Sequence, residues 1–206
     1  MANDIFSQSR LTRRLFGATM VGGAALALVP GTAMALDVNS ARALIDRAIG
    51  DVNKAINSGK AEPAMYKDFE GIFARYADVP TIARSALGVA ARSASAGDMS
   101  AFTKAYQGYI GRKYGRRFRE FIGGRIEVTD ARPIKSYYEV ISVAHLKGEA
   151  PFDLRWHVSN KSGKDLFFNI IIEGVNMLAS ERTEVQAMLD RRKGDIQALI
   201  ADLKAA

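Results

Sequence analysis

Phe152-Asp153-Leu154-Arg155-Trp156-His157-Val158-Ser159, then Asn160-Lys161-Ser162-Gly163-Lys164, then Asp165-Leu166-Phe167-Phe168-Asn169-Ile170-Ile171-Ile172-Glu173-Gly174-Val175-Asn176-Met177 form one uninterrupted stretch. In the first piece Phe152, Leu154, Trp156 and Val158 alternate with Asp153, Arg155, His157 and Ser159. Period two with one wet face predicts a half-buried strand. The middle piece is polar and holds a glycine, as a hairpin loop requires. The last piece is apolar almost throughout, which predicts a strand covered on both faces. A hairpin with so greasy a second arm needs an apolar cover.

Upstream of the hairpin the chain is strand-like as well. Arg125 to Asp130 alternates weakly. From Tyr137 to Leu146, Tyr138, Val140, Ser142 and Ala144 fall on one face and Tyr137, Glu139, Ile141, Val143 and His145 on the other. A bulge would exchange those faces. Lys147-Gly148-Glu149 reads as a turn.

Helical periods surround these strands. Leu44, Ile45, Ala48, Ile49, Val52 and Ile56 recur at helical spacing behind a cap at Asn39 or Ser40. A second helix, about Glu62 to Tyr76, has Pro63 in its first turn. Asp78 caps a short third helix that ends at Gly88, and Ala90 to Gly97 is either another short helix or a connection. The longest helix runs from roughly Ser100 to Ile122 behind Asp98, with Phe102, Tyr106, Tyr109, Ile110, Tyr114, Phe118 and Phe121 as a broad aromatic stripe. Gly111 and Gly115 interrupt it; each costs about 1 kcal/mol relative to alanine, and both are candidate hinges, as is the segment 93–98. After the hairpin, Ser180 is positioned to cap one helix and Asp195 a last one carrying Ile196, Leu199, Ile200 and Leu203. Helices, then strands, then helices make an α+β fold with an antiparallel sheet of about four strands.

Residues 1–35 read as an address rather than as structure. Thr12-Arg13-Arg14-Leu15-Phe16 is a twin-arginine pattern, Ala18 to Val29 is apolar, and Ala33-Met34-Ala35 is a small-residue cleavage site. The apolar run is shorter than the about 20 residues of a spanning helix. The folded domain is therefore expected over 36–206. With no cysteine, disulfides, thiolate metal sites and an acylated anchor are excluded. The chain carries a formal charge of +7. Exported basicity argues against nucleic acid and leaves anionic membranes, acidic partners or plain solubility.

Little catalytic chemistry is legible. The two histidines, His145 and His157, have no second ligand at metal spacing. No nucleophile elbow, phosphate loop or dinucleotide fingerprint occurs. Asp153, Asp165 and Glu173 around the hairpin are the candidates for acid–base work. The run Arg112-Lys113-Tyr114-Gly115-Arg116-Arg117-Phe118-Arg119, five cations interleaved with aromatics, reads as a solvated face with inward aromatics, a docking face for anionic lipid head groups or an acidic partner, or a nucleic-acid patch, which export disfavours. The aromatic stripe, with Trp156 and the strand Phe168 to Ile172, is either solid core or the wall of a cavity.

Phe73-x-x-Tyr76-x-Asp78-Val79, Ala83-x-x-x-Leu87-Gly88, Phe102-x-x-x-Tyr106 leading to Tyr114, Arg155-Trp156, and Ile171-Ile172-Glu173-Gly174-Val175-Asn176-Met177 with Arg182 beyond resemble the MlaC, or toluene-tolerance, family of periplasmic phospholipid-binding proteins. The resemblance spans Asp37 to Lys204. Family members often carry Asp at the position of Asn169 and Ser at that of Asn176, so here a charge beside the sheet is lost. The resemblance implies a curved antiparallel sheet clasped by helices around an apolar cavity that holds phospholipid as cargo, with no cofactor, no metal and no catalysis. It implies lining by Phe73, Tyr76 and Leu87 from the early helices, and by Phe102, Tyr106, Tyr109, Ile110, Tyr114 and Phe118 from the stripe. From the strands it adds Val140, Leu154, Trp156, Val158, Phe168, Ile170, Ile172 and Val175. It also implies partners: an outer-membrane lipoprotein complex and an inner-membrane ABC transporter with an MCE-domain ring.

A carrier faces a steep requirement. Two acyl chains with about 30 methylenes represent roughly 24 kcal/mol of transfer cost at about 0.8 kcal/mol each, so a cavity must engulf them nearly completely. The competing readings are a hopanoid carrier, a small exported enzyme with Asp153 or His157 as base, and an adaptor whose apolar groups are all core.

Overall fold

The computed structural model describes residues 36–117 and 121–206; the export signal expected over 1–35, and Phe118, lie outside the described residues. Helices α1 (Val38–Ile56), α2 (Glu62–Tyr76), α3 (Val79–Leu87) and α4 (Ala96–Arg117) come first. Strands β1 (Arg125–Ile134), β2 (Tyr137–His145), β3 (Phe152–Ser159), β4 (Leu166–Ile172) and β5 (Val175–Asn176) follow, then α5 (Met177–Arg191) and α6 (Ile196–Ala205). The fold is α+β, and the sheet is open and antiparallel in the order β1-β2-β3-β4-β5. It has one strand more than expected. Glu173 and Gly174 both take positive φ, 48° and 80°, and turn the chain at the end of β4. The apolar run from Asp165 to Met177 is thus a strand, a tight turn and a two-residue edge strand. Its arm is only partly covered, since Ile170, Ile171 and Ile172 are half-buried.

Local chemistry sets the helix starts. Asp37 caps α1, its carboxylate accepting the Ser40 N–H while the Ser40 hydroxyl accepts the Asp37 N–H. Asp78 caps α3 and Asp195 caps α6. Two helices begin earlier than expected. Ser95 accepts the Asp98 N–H at the start of α4, and Asn176 rather than Ser180 caps α5 through the Ala179 N–H. Ala90 to Gly97 is partly a 3-10 turn, Gly88–Arg92.

One face of the sheet lies under the helices. Ile126, Val140, Ala144, Leu154, Trp156, Val158 and Phe167 form its buried layer, together with α1, α3, α4, α5 and α6 in one apolar cluster. The Trp156 indole N–H donates to Ser142 Oγ at 2.9 Å, and its ring meets Phe167 edge-on. Two bulges decide which residues belong to that layer. One falls between Val128 and Asp130, beside the carbonyl of Val128 that accepts from Arg42 on α1. The other makes Val158 pair with Phe167 while His157 pairs with Asn169, so Phe168 is the extra residue.

Candidate functional site

The inner layer gathers most of the residues expected at the site. Leu87, Phe102, Tyr106, Val140 and Val158 are wholly buried, and Tyr76, Tyr109, Ile110, Leu154 and Trp156 nearly so. Phe73, Tyr114, Ile170 and Ile172 pack against this cluster from its margin. Two residues stand apart. Phe168, displaced by the bulge, lies on the opposite face against the rings of Tyr137 and His157, and Phe167 takes the inward position. Val175, on the edge strand, is 53% exposed. The packed layer leaves its neighbours in contact. A hollow of about 350 Å³ opens near Tyr137, Tyr138 and Asn160. Another of about 630 Å³ lies between Phe152, Arg155 and Ile171. Neither lies between the hairpin and α4.

A polar pole interrupts the apolar interior where α4 faces α5. Lys113 Nζ donates to Glu181 at 2.8 Å and also to Glu184, and the Tyr114 hydroxyl donates to Glu181 at 2.6 Å. The Tyr109 hydroxyl donates to Glu184. Glu181 is 4% exposed. Burial and the Glu184 contact push the Tyr109 phenol up to about 12, and burial with the Glu181 charge holds Tyr114 far above its ordinary range. Tyr106 is shifted the same way for the same reasons, although its hydroxyl makes no hydrogen bond. This pole was not legible in the chain. Glu181 and Glu184 sit three apart on one helix, a common solvated pattern, and Lys113 belongs to a run that reads as surface.

That basic run divides: Arg112 and Lys113 are half-buried, whereas Arg116 and Arg117 are exposed. Arg112 donates to the Leu203 carbonyl at 2.6 Å and Arg116 to that of Ala206 at 3.4 Å, so guanidinium groups meet the C-terminal end of α6, where the helix dipole favours cations. The glycines of α4 are not hinges in this packing. A Cβ at Gly111 would come within 2.9 Å of Glu70 Cβ and 3.0 Å of Glu70 Cα, and one at Gly115 within 2.6 Å of the Tyr66 ring. They let α2 press closely on α4.

The other face of the sheet carries a second polar set. Glu139 accepts from Arg132 Nε at 2.9 Å and stands 3.6 Å from His157 Nε2; His157 Nδ1 stands 3.4 Å from the Asn169 amide. Asn169 Oδ1 accepts the Leu178 N–H at the start of α5. Asn169 thus holds the helix start with a neutral acceptor. Burial pushes His157 below its ordinary 6.5, against the opposing pull of Glu139. The unfolded chain therefore binds this proton more readily. The histidine's contribution to stability is complete above about pH 6.5 and is lost as pH falls through the lower folded value. We expect the urea midpoint to begin falling just below pH 6.5, before carboxylates titrate, and the His157→Gln variant to lack that early decline.

Asp153 is exposed on the wall of the larger hollow, while His157 is buried four residues further along the same strand. Among the described residues no group of three or more His, Asp or Glu side chains is arranged to hold a metal ion, and no helix is long and apolar enough to cross a membrane.

An open antiparallel sheet with helices over one face, an apolar layer between them and a polar pole at one margin place the chain in the α+β class. The family model described as MlaC protein matches residues 43–205, and the chain belongs to that family. A solved structure of similar fold is the phospholipid-binding protein from Ralstonia solanacearum in complex with a phospholipid. It is 17% identical, with a TM-score of 0.68, and the match covers 80% of this chain and 95% of that one.

Proposed function

We propose that this chain is a periplasmic lipid carrier, exported by the twin-arginine route as a precursor whose residues 1–35 are removed. It binds phospholipid acyl chains between sheet and helices, and it moves lipid between an outer-membrane lipoprotein complex and an inner-membrane ABC transporter with an MCE-domain ring. It is a binding protein, not an enzyme, and its only non-protein component is the cargo. The observation that carries this reading is the family match over residues 43–205. The phospholipid held by the Ralstonia protein of similar fold supports it.

The inner layer sets the mechanism. Its side chains touch one another, so tails enter by separating helices from the sheet, and the apolar faces that part are re-covered by methylenes. At about 0.8 kcal/mol for each methylene withdrawn from water, hydrocarbon replaces side chain with little net loss. The margin residues Phe73, Tyr114, Ile170 and Ile172 meet the tails first, and the buried residues from Leu87 to Val158 line the opened space. Helix α4 packs along α2 and α6, and α5 along α3. Across the α4–α5 seam run the long side chains of the polar pole, which makes that seam the place to part.

Native mass spectrometry of protein purified from the periplasm, with solvent extraction of what is bound, tests the reading. The expected result is a stoichiometric diacyl phospholipid. A hopanoid in its place would keep the carrier and change the cargo, and a chain that leaves the cell bare and takes nothing from vesicles would refute the proposal.

A further inference from the structure

The polar pole has hydrogen-bonding capacity that the protein leaves unused. Of the Glu181 carboxylate, Oε1 accepts from Lys113 and Tyr114, whereas Oε2 is buried and accepts from nothing. The Tyr106 hydroxyl, on a residue with 0% exposure, also has no partner. A buried group left in this state costs about 1–3 kcal/mol, and here two such groups, a carboxylate oxygen that accepts and a phenol that can donate, lie within reach of the same Glu181 charge. Tyr106 also stacks on Phe102 within the apolar layer, so its hydroxyl marks where the apolar interior ends and the polar pole begins.

Charge adds direction. The hydrogen-bonded set holds two carboxylates, Glu181 and Glu184, against one ammonium, Lys113. Arg117, which also bears on Glu184, is exposed. A ligand group that meets Glu181 Oε2 must therefore donate a proton and is favoured if it is positive. The Tyr106 hydroxyl, which can donate as well as accept, is free to donate to an acceptor oxygen. On the reading that this chain carries phospholipid, we propose that the seam between α4 and α5 is a headgroup site selective for a primary ammonium. The ammonium donates to Glu181 Oε2, and a phosphate or ester oxygen of the same lipid accepts from the Tyr106 hydroxyl. Phosphatidylethanolamine has both groups. Phosphatidylglycerol has a net negative headgroup and no amine, and a choline headgroup has the charge without an N–H to donate.

The test loads delipidated full-length mature protein from vesicles of equal parts phosphatidylethanolamine, phosphatidylglycerol and phosphatidylcholine, then compares bound classes by mass spectrometry. Wild type should enrich the ethanolamine lipid over the glycerol lipid by about tenfold, the scale of one charge-assisted hydrogen bond, with choline between them. Glu181→Gln should bring the bound ratio close to that of the vesicles. Because the ratio is read within the bound fraction, it does not depend on how much protein loads, and the wild-type order decides the matter even if the variant fails to fold. Wild type that loads all three classes in the vesicle ratio, or a folded Glu181→Gln that keeps the enrichment, overturns the headgroup site and leaves the carrier standing. Wild type that loads none removes the carrier reading and the headgroup site together.

Discussion

Trp156→Ala should lower the stability of the folded domain by about 3–5 kcal/mol, the range for emptying a buried aromatic site. Trp156 lies at the middle of the inner layer, where its ring meets Phe167 edge-on and its indole N–H satisfies the Ser142 hydroxyl. Alanine removes the ring and leaves Ser142, itself wholly buried, without that partner. The neighbours are held by β2 and β4 on either side, at Val140 and Ile170, so the layer cannot collapse into the space. With a urea slope of about 2 kcal/mol per molar, the midpoint should fall by roughly 2 M. A shift below about 0.5 M would mean that the layer is loosely packed even without lipid. A charged residue at 156 would be a poor probe of lipid binding for the same reason, because it would report on folding first.

Gly111→Ala should destabilise the protein even though alanine is the better helix former. In an isolated helix the change is favourable by about 1 kcal/mol. In the folded protein the new methyl group would lie 2.9 Å from Glu70 Cβ and 3.0 Å from its Cα. Those atoms are fixed to the α2 backbone and cannot swing aside, so the two helices must separate. Overpacking of this kind costs about 1–3 kcal/mol, and the net loss should reach about 2 kcal/mol by the same bounds. Gly50 in α1 and Gly71 in α2 provide the contrast, since a Cβ there meets nothing within 4 Å. Gly50→Ala and Gly71→Ala should each gain up to about 1 kcal/mol. Thermal or urea unfolding of the three variants reads the sign directly. A stabilised Gly111→Ala would show that α2 and α4 do not pack this closely in solution.

The two polar sets resist change in opposite directions of pH. The depressed His157 contributes on the acid side, whereas the raised phenols act on the alkaline side. A phenol held at about 12 when folded, as Tyr109 is, supports the fold fully below its ordinary value near 10 and loses that support as pH rises through 12. Alkali should therefore loosen the α4–α5 seam, the part of the fold that opens in the mechanism proposed above.

The element order, the hairpin at Asn160–Lys164, the caps at Asp78 and Asp195 and the inward set Leu154, Trp156 and Val158 follow from the chain alone. Each depends on period, on a capping side chain or on a turn residue within a few positions, and local sterics and hydrogen bonding act at that range. The tertiary structure decided the rest. Whether Phe167 or Phe168 faces inward depends on a bulge set by pairing with β3, and a shift of one residue reverses the face. Whether Gly111 bends α4 or admits α2 depends on where Glu70 lies. Whether Lys113 is a surface charge or the tie between the buried Glu181 and the exposed Glu184 depends on α5, which follows five strands later. Those outcomes rest on contacts between residues far apart in sequence, and no local pattern along the chain encodes them.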